Sequence, residues 1–175
     1  MGAELIALIC EGGAEKAILT LLLDNDKLKY TWNDLLKSQL FDERSASKFA
    51  DKHLGMDMSK KVHIIRVLDS RKEKFKLARQ YQQKVSRIDN LYTRPEIEVL
   101  YLINEDKYDD FERQKNIEKK PSLYISKTLH IRDAKKPYIV TAYWSDRVDE
   151  LVAAIKEYAT RSSDDIDQTL AALLK

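Results

Sequence analysis

Acidic side chains stand just beyond three apolar runs of this chain. Glu11 follows residues 4–10 (ELIALIC), Asp69 follows residues 62–68 (VHIIRVL), and Glu96 and Glu98 follow residues 88–93. In an open α/β sheet, ligands gather at the carboxyl ends of the strands. Carboxylates converging there offer the oxygen donors that a hard cation such as Mg²⁺ takes while it keeps several waters. A cation so held polarises a phosphate oxygen and activates a water. The same residues also have plainer uses. Asp69-Ser70 suits a helix cap, Glu96 suits a first helical turn, and Glu11 and Glu15 suit a solvated turn.

A second set of residues carries the opposite charge. The formal net charge of the 175-residue chain is only +2, yet residues 60–87 hold a basic cluster that includes Arg71, Lys72, Lys74, Lys76 and Arg79. Such a cluster is either a solvated helix face or a surface for phosphates. The lone Cys10 and the scattered His53, His63 and His130 make no zinc pattern. Gly12-Gly13 lacks both the Lys-Ser/Thr ending of a P-loop and the spacing of a dinucleotide fingerprint.

The elements that must position these residues follow from periodicity. Residues 4–10 and 62–68 read as buried strands, the second being β-branched and apolar. Each is followed by a helical pattern, over 14–23 and 71–85, so the two strands are expected to be parallel neighbours with helices on both faces of the sheet. In the second helix Leu77, Ala78, Tyr81 and Val85 form the apolar stripe, and its N-terminus points at the acidic site. Residues 88–93 read as a third strand. Helices are expected after the Thr31 cap to Ser38, over 42–54, over 97–103, from Pro121, over 146–160 and over 164–174, whereas 138–144 is β-prone. The fold class is α/β, with residues 1–160 as one domain and 161–175 as a C-terminal helix for packing or a partner.

Composition agrees. Apolar residues make up 43% of the chain and charged residues 34%, with few glycines and prolines, which suits one folded core rather than a disordered tail. There is no apolar run long enough to span a bilayer, and no secretory signal pattern. With a single cysteine no internal disulfide forms, and a cytoplasmic location is expected.

The segment Cys10-Glu11-Gly12-Gly13-Ala14-Glu15-Lys16, at the end of its strand, resembles the opening motif of Toprim domains, in which a hydrophobic strand runs into Glu-Gly-x-x-Glu/Asp-Lys and a helix. Val67-Leu68-Asp69-Ser70-Arg71 is similar to the strand carrying the Toprim Asp-x-Asp pair. Arg94-Pro95-Glu96-Ile97-Glu98 resembles the Pro-x-x-Glu segment of small RloB-type proteins and, more loosely, of the overcoming-lysogenization-defect nucleases. The likeness covers about residues 4–104.

That resemblance implies a central, mostly parallel sheet, Mg²⁺ (or Mn²⁺) held by Glu11, Asp69, Glu98 and Glu15, and action on DNA or RNA phosphodiesters with Glu11, Asp69 and Glu98 as catalytic groups. It also implies a place in phage defence and an ATPase or other protein partner; a homo-oligomer is a further expectation. Arg71 replaces the second aspartate of the pair. A guanidinium there repels a cation and holds a phosphate oxygen instead. So either one metal serves, or Glu73 or Glu98 compensates, or catalysis is lost and a nucleic-acid-binding or regulatory subunit remains.

Overall fold

The structure, a computed structural model, describes residues 4–93, 96–117 and 119–175. Arg94 and Pro95 of the Pro-x-x-Glu segment, and the Glu96 side chain, lie outside the described residues. The chain forms an α/β fold around a three-stranded sheet of β1 (Leu5–Cys10), β2 (Val62–Leu68) and β3 (Val85–Tyr92), in the order β1-β2-β3. Both pairings are parallel, from Leu5↔Val62 to Cys10↔Val67 and from Val62↔Val85 to Leu68↔Tyr92, with a bulge near the start of β3.

All seven residues of β2 are buried, as a central strand covered on both faces requires. On one face Ile6, Leu8, Ile65, Val67 and Leu91 join a large core. Its helices are α1 (Gly13–Asp24), α4 (Glu96–Asn104), α7 (Pro137–Trp144) and α8 (Val148–Arg161), with α1 packed on α7 and α4 on α8. On the other face Ala7, Ile9, Val62 and Ile64 meet Phe49, Ala50 and Leu54 from α2 (Ala46–His53) and its end. The outer edge of β1 is covered by residues around Leu35 and Phe41. Phe41 accepts from the Cys10 N–H at 2.8 Å and donates to the Leu8 carbonyl at 2.9 Å. Among the described residues no helix is long and apolar enough to cross a membrane.

Several local expectations change. No helix spans 71–85: only α3 (Arg79–Gln82) is helical. In residues 72–77 burial alternates, with Glu73, Phe75 and Leu77 turned inward and Lys72, Lys74 and Lys76 exposed. That is the two-residue period of extended chain, and it fits Lys-Glu-Lys-Phe-Lys-Leu better than a helical stripe does. Residues 138–144, read as β-prone, lie instead in α7 (Pro137–Trp144). Pro137 starts that helix, and Val140 and Trp144, one turn apart, are both fully buried on one face, so packing overrides the β-propensity of Ile139, Val140 and Thr141.

The Thr31–Asp34 capping box forms as expected but closes only one 3-10 turn, Trp32–Asp34; Lys37, at φ 56°, prevents a longer helix. The C-terminal stretch is two 3-10 turns, Ile166–Gln168 and Leu170–Leu173, rather than a helix. Extended Thr169 separates them, and Leu170, Leu173 and Leu174 enter the large core. Two further short helices are α5 (Tyr108–Gln114) and α6 (Pro121–Thr128).

Where α1 packs on α7, one approach leaves no room for a side chain. A Cβ at Gly13 would stand 2.5 Å from Cγ of Pro137, and a proline ring cannot swing aside. Gly13→Ala is expected to lower stability by about 1–3 kcal/mol through overpacking. Gly55→Ala, whose added Cβ would meet only the Asp51 carbonyl at 3.5 Å, serves as the tolerated control. Urea denaturation midpoints of the two variants check the contrast.

A candidate acidic site at the carboxyl end of the sheet

The three parallel strands deliver Glu11, Asp69 and Thr93 to one edge. The Glu11 N–H donates to the Val67 carbonyl at 2.9 Å, and the Thr93 N–H to the Leu68 carbonyl at 2.8 Å, so the ladder carries on past the strand ends. The Glu11 side chain is 7% exposed. Its Oε2 accepts a short hydrogen bond from the Asp69 N–H, and its Oε1 lies 3.4 Å from Nη1 of Arg44. Arg44 also donates to the Glu11 carbonyl at 3.0 Å. Glu11 thus ties the end of β1 to the turn after β2 and fixes the Asp69 backbone.

Glu15, in the first turn of α1, is buried and accepts from the Thr93 hydroxyl at 3.1 Å. Its other oxygen fills the space above Gly12, where a Cβ would come within 2.5 Å of it. Asp69 and Glu98 are placed differently. Oδ1 of Asp69 and Oε2 of Glu98 are buried and, among the described residues, accept no hydrogen bond. The Lys135 ammonium stands near both, 3.5 Å from the first and 3.9 Å from the second. Burial pushes the Glu98 carboxyl above its usual value; Lys135 opposes this, and the charges of Asp69 and Glu15 add to it. The structure therefore brings Glu11, Asp69, Glu15 and Glu98 to one end of the sheet, but holds Glu11 and Glu15 with protein donors. Among the described residues no three His, Cys, Asp or Glu side chains form a group suited to a metal ion.

The basic residues divide. Lys72, Lys74, Lys76 and Arg79 are exposed. Arg71, also exposed, makes a short ion pair with Asp164 and stacks over the Tyr92 ring at 4.3 Å. Glu73 is engaged by Nη2 of Arg66 at 3.1 Å and, more loosely, by Arg44 at 3.8 Å. Cys10 is no nucleophile: burial, with the Glu15 charge, pushes its thiol up to about 12, leaving almost no thiolate.

Sequence reasoning missed four partners in this site: Arg44, Arg66, Thr93 and Lys135. Arg66 carried a signal, as the one obligate cation inside the apolar run VHIIRVL. Its guanidinium is buried in β2, donates to Oδ1 of Asn90 at 3.3 Å and stacks over Phe75 at 4.5 Å. Lys135 and Arg44 come from loops, and nothing in their sequence context marks them.

No family model, curated protein or solved structure matches the chain.

The raised Glu98 carboxyl has a definite consequence for stability. Above its folded-state pKa the buried carboxylate is ionised and disfavours folding. As pH falls through that value the penalty fades, and it is gone below the ordinary glutamate value. Glu98→Gln is expected to raise the melting temperature at neutral pH, with an advantage that shrinks to nothing on acidification. Thermal melts of both proteins across that pH range check the sign.

Proposed function

We propose that the chain is a Toprim-like, divalent-cation-dependent phosphodiesterase acting on DNA or RNA. The observation that carries this reading is the pair of buried carboxylate oxygens, Asp69 Oδ1 and Glu98 Oε2, at the carboxyl end of a parallel sheet, which among the described residues have no hydrogen-bond donor and a single ammonium beside them. Buried acceptors without donors are costly unless a cation serves them. Mg²⁺ or Mn²⁺ fits this donor set, because Mg²⁺ is commonly held by one or two carboxylates with water and substrate phosphate filling the rest. When bound, the cation would polarise the scissile phosphate and lower the pKa of a water.

The chain's own residues have separable tasks. Asp69 and Glu98 would hold the cation. Glu98 would also take a proton from the attacking water. Glu11 would set the Asp69 backbone, and Glu15 would keep Thr93 and the start of α1 in place. Lys135, freed from the two carboxylates, would face a phosphate oxygen. The exposed row Lys72, Lys74 and Lys76, with Arg79, would steer the nucleic-acid backbone. Arg71 could join them at little cost, because an exposed ion pair such as that with Asp164 contributes on the order of 0–1 kcal/mol.

A second reading rests on Lys135 itself. If its ammonium is the permanent counter-ion of Asp69 and Glu98, the domain binds nucleic acid without hydrolysing it. Calorimetry with Mn²⁺ and a cleavage assay on labelled DNA and RNA separate the two. The first reading expects metal-dependent cleavage, reduced at least about 100-fold by Asp69→Asn or Glu98→Gln. It also expects a loss of about 10–100-fold in metal affinity for Glu11→Gln, whose role is indirect, and tighter metal binding for Lys135→Met. No metal binding by wild type, with nucleic-acid affinity unchanged by chelator, establishes the second. In either case the salt dependence of nucleic-acid binding should fall by about one unit of log–log slope for each of Lys72, Lys74 and Lys76 replaced by alanine. Equal slopes for all variants would leave that row as a solvated face.

A further inference from the structure

The two edges of the sheet are treated differently. β1 is covered along its outer side by residues around Leu35 and Phe41. β3 is the other edge, and among the described residues no backbone hydrogen bond leaves its outer side. The orientation of that side follows from one bond. The Thr93 N–H points to Leu68 in β2, and backbone groups alternate in direction along a strand. Leu91, Asp89 and Arg87 therefore turn their N–H and C=O toward β2, and Asn90 and Ile88 turn theirs outward. An open edge of this kind is a template for another strand.

The side chains along the edge are self-complementary about Ile88. In the sequence Ser86-Arg87-Ile88-Asp89-Asn90, reversal about the centre exchanges Arg87 with Asp89 and Ser86 with Asn90. We propose that β3 pairs antiparallel with β3 of a second copy of this chain about a two-fold axis at Ile88, with Arg87 of each copy opposite Asp89 of the other. Ile88 then faces its own counterpart as a hydrogen-bonded pair, because its backbone groups point outward. The Arg87–Asp89 positions become non-hydrogen-bonded pairs, in which facing side chains come closest. Opposite charges directly across an antiparallel pair are favourable, and like charges are not.

The geometry within one chain is ready for this arrangement. Arg87 and Asp89 are roughly half exposed, with Nε of Arg87 3.6 Å from Oδ2 of Asp89. Buried His63 beneath them orients both: its Nε2 is 2.7 Å from Asp89, and its Nδ1 is 3.3 Å from Arg87. Arg87 accordingly fixes the tautomer, with Nδ1 accepting and Nε2–H donating to the carboxylate. The result in the pair is an alternating quartet of two guanidinium and two carboxylate groups. A cavity of about 500 Å³ beside them, lined in part by Tyr30, Asp167 and Gln168, leaves room for the second copy's side chains. The two-fold contact is isologous, so it closes at the dimer and leaves no exposed strand edge on β3. This inference is independent of the reading of the acidic site.

Sedimentation equilibrium of the full chain, with circular dichroism to confirm folding, tests the pairing. The wild type is expected to dimerise. Arg87→Glu and Asp89→Lys are each expected to be monomeric, since each sets like charges opposite one another. Mixing the two variants is expected to restore a dimer, because Arg87 of one then faces Asp89 of the other while Lys faces Glu. Should a reversal prevent folding, Asp89→Asn, which keeps an acceptor for His63, is expected to weaken dimerisation at least tenfold. A monomeric wild type, single reversals that dimerise like wild type, or a mixture that stays monomeric would overturn the proposal; so would an Asp89→Asn dimer as tight as wild type.

Discussion

Complete burial of β2 governs much of the surrounding structure. The strand lies between two apolar layers, and two of its seven buried residues, His63 and Arg66, are polar. A buried guanidinium without partners would cost several kcal/mol on the order of its desolvation, so the chain around it must supply acceptors and a stacking surface. Glu73, Asn90 and Phe75 do so. Two of these three lie in the segment just after β2, which explains its course. A helix beginning at Arg71 could not send both Glu73 and Phe75 back over Arg66, because residues two apart on a helix do not share a face. Extended chain places alternate residues on one side, so that Glu73 accepts from the Arg66 guanidinium and Phe75 stacks on it, while Nε of Arg66 has no partner among the described residues. The outward-facing lysines between them are a by-product of that constraint.

The acidic end of the sheet obeys the same rule with the signs reversed. Glu11, Asp69, Glu15 and Glu98 crowd one edge, and each draws a different kind of compensation. Glu11 accepts from a backbone N–H and an arginine, and Glu15 accepts from a hydroxyl. Asp69 and Glu98 share one ammonium at distances too long for a hydrogen bond. The carboxylates therefore differ in how firmly they are held. The pair with the weakest compensation, and a carboxyl raised by burial, is the pair with most to gain from an added cation.

The sequence made the parallel pairing of residues 4–10 with 62–68 legible, because continuous apolar runs followed by helices have few alternative arrangements. Glu11 and Asp69 came with it, since strand ends fix the positions of the residues that follow them. Glu98 was singled out by its place after the third strand and by the Pro-x-x-Glu resemblance, and the helix expected over 97–103 forms as α4. The extended course of 71–78 was hidden because Leu77, Ala78, Tyr81 and Val85 also satisfy a helical spacing. The need to serve Arg66 decides between the two patterns, and that need is tertiary. The helical state of 137–144 was likewise out of reach, because Val140 and Trp144 gain their burial only against other elements. Arg44 and Lys135 were illegible for a simpler reason: lysines and arginines on loops carry no periodic signal.

How a loop lysine comes to stand over the acidic site can nevertheless be traced. Lys135 lies two residues before Pro137, the first residue of α7. Gly13, the first residue of α1, lies two residues after Glu11. The Pro137 ring occupies the space that any side chain at position 13 would need, so the starts of α1 and α7 are fixed against each other. The acid that follows β1 and the base that precedes α7 are thereby held in register where α1 packs on α7, with Gly13 against Pro137 as one of its close approaches. A larger residue at position 13 would push the start of α7 away and move Lys135 from Asp69 and Glu98 without touching any charged group. The glycine pair in the Glu11-Gly12-Gly13 turn is thus explained by packing on both counts. Gly12 yields its space to the Glu15 carboxylate and Gly13 yields to Pro137, and together they set which charges face one another across the site.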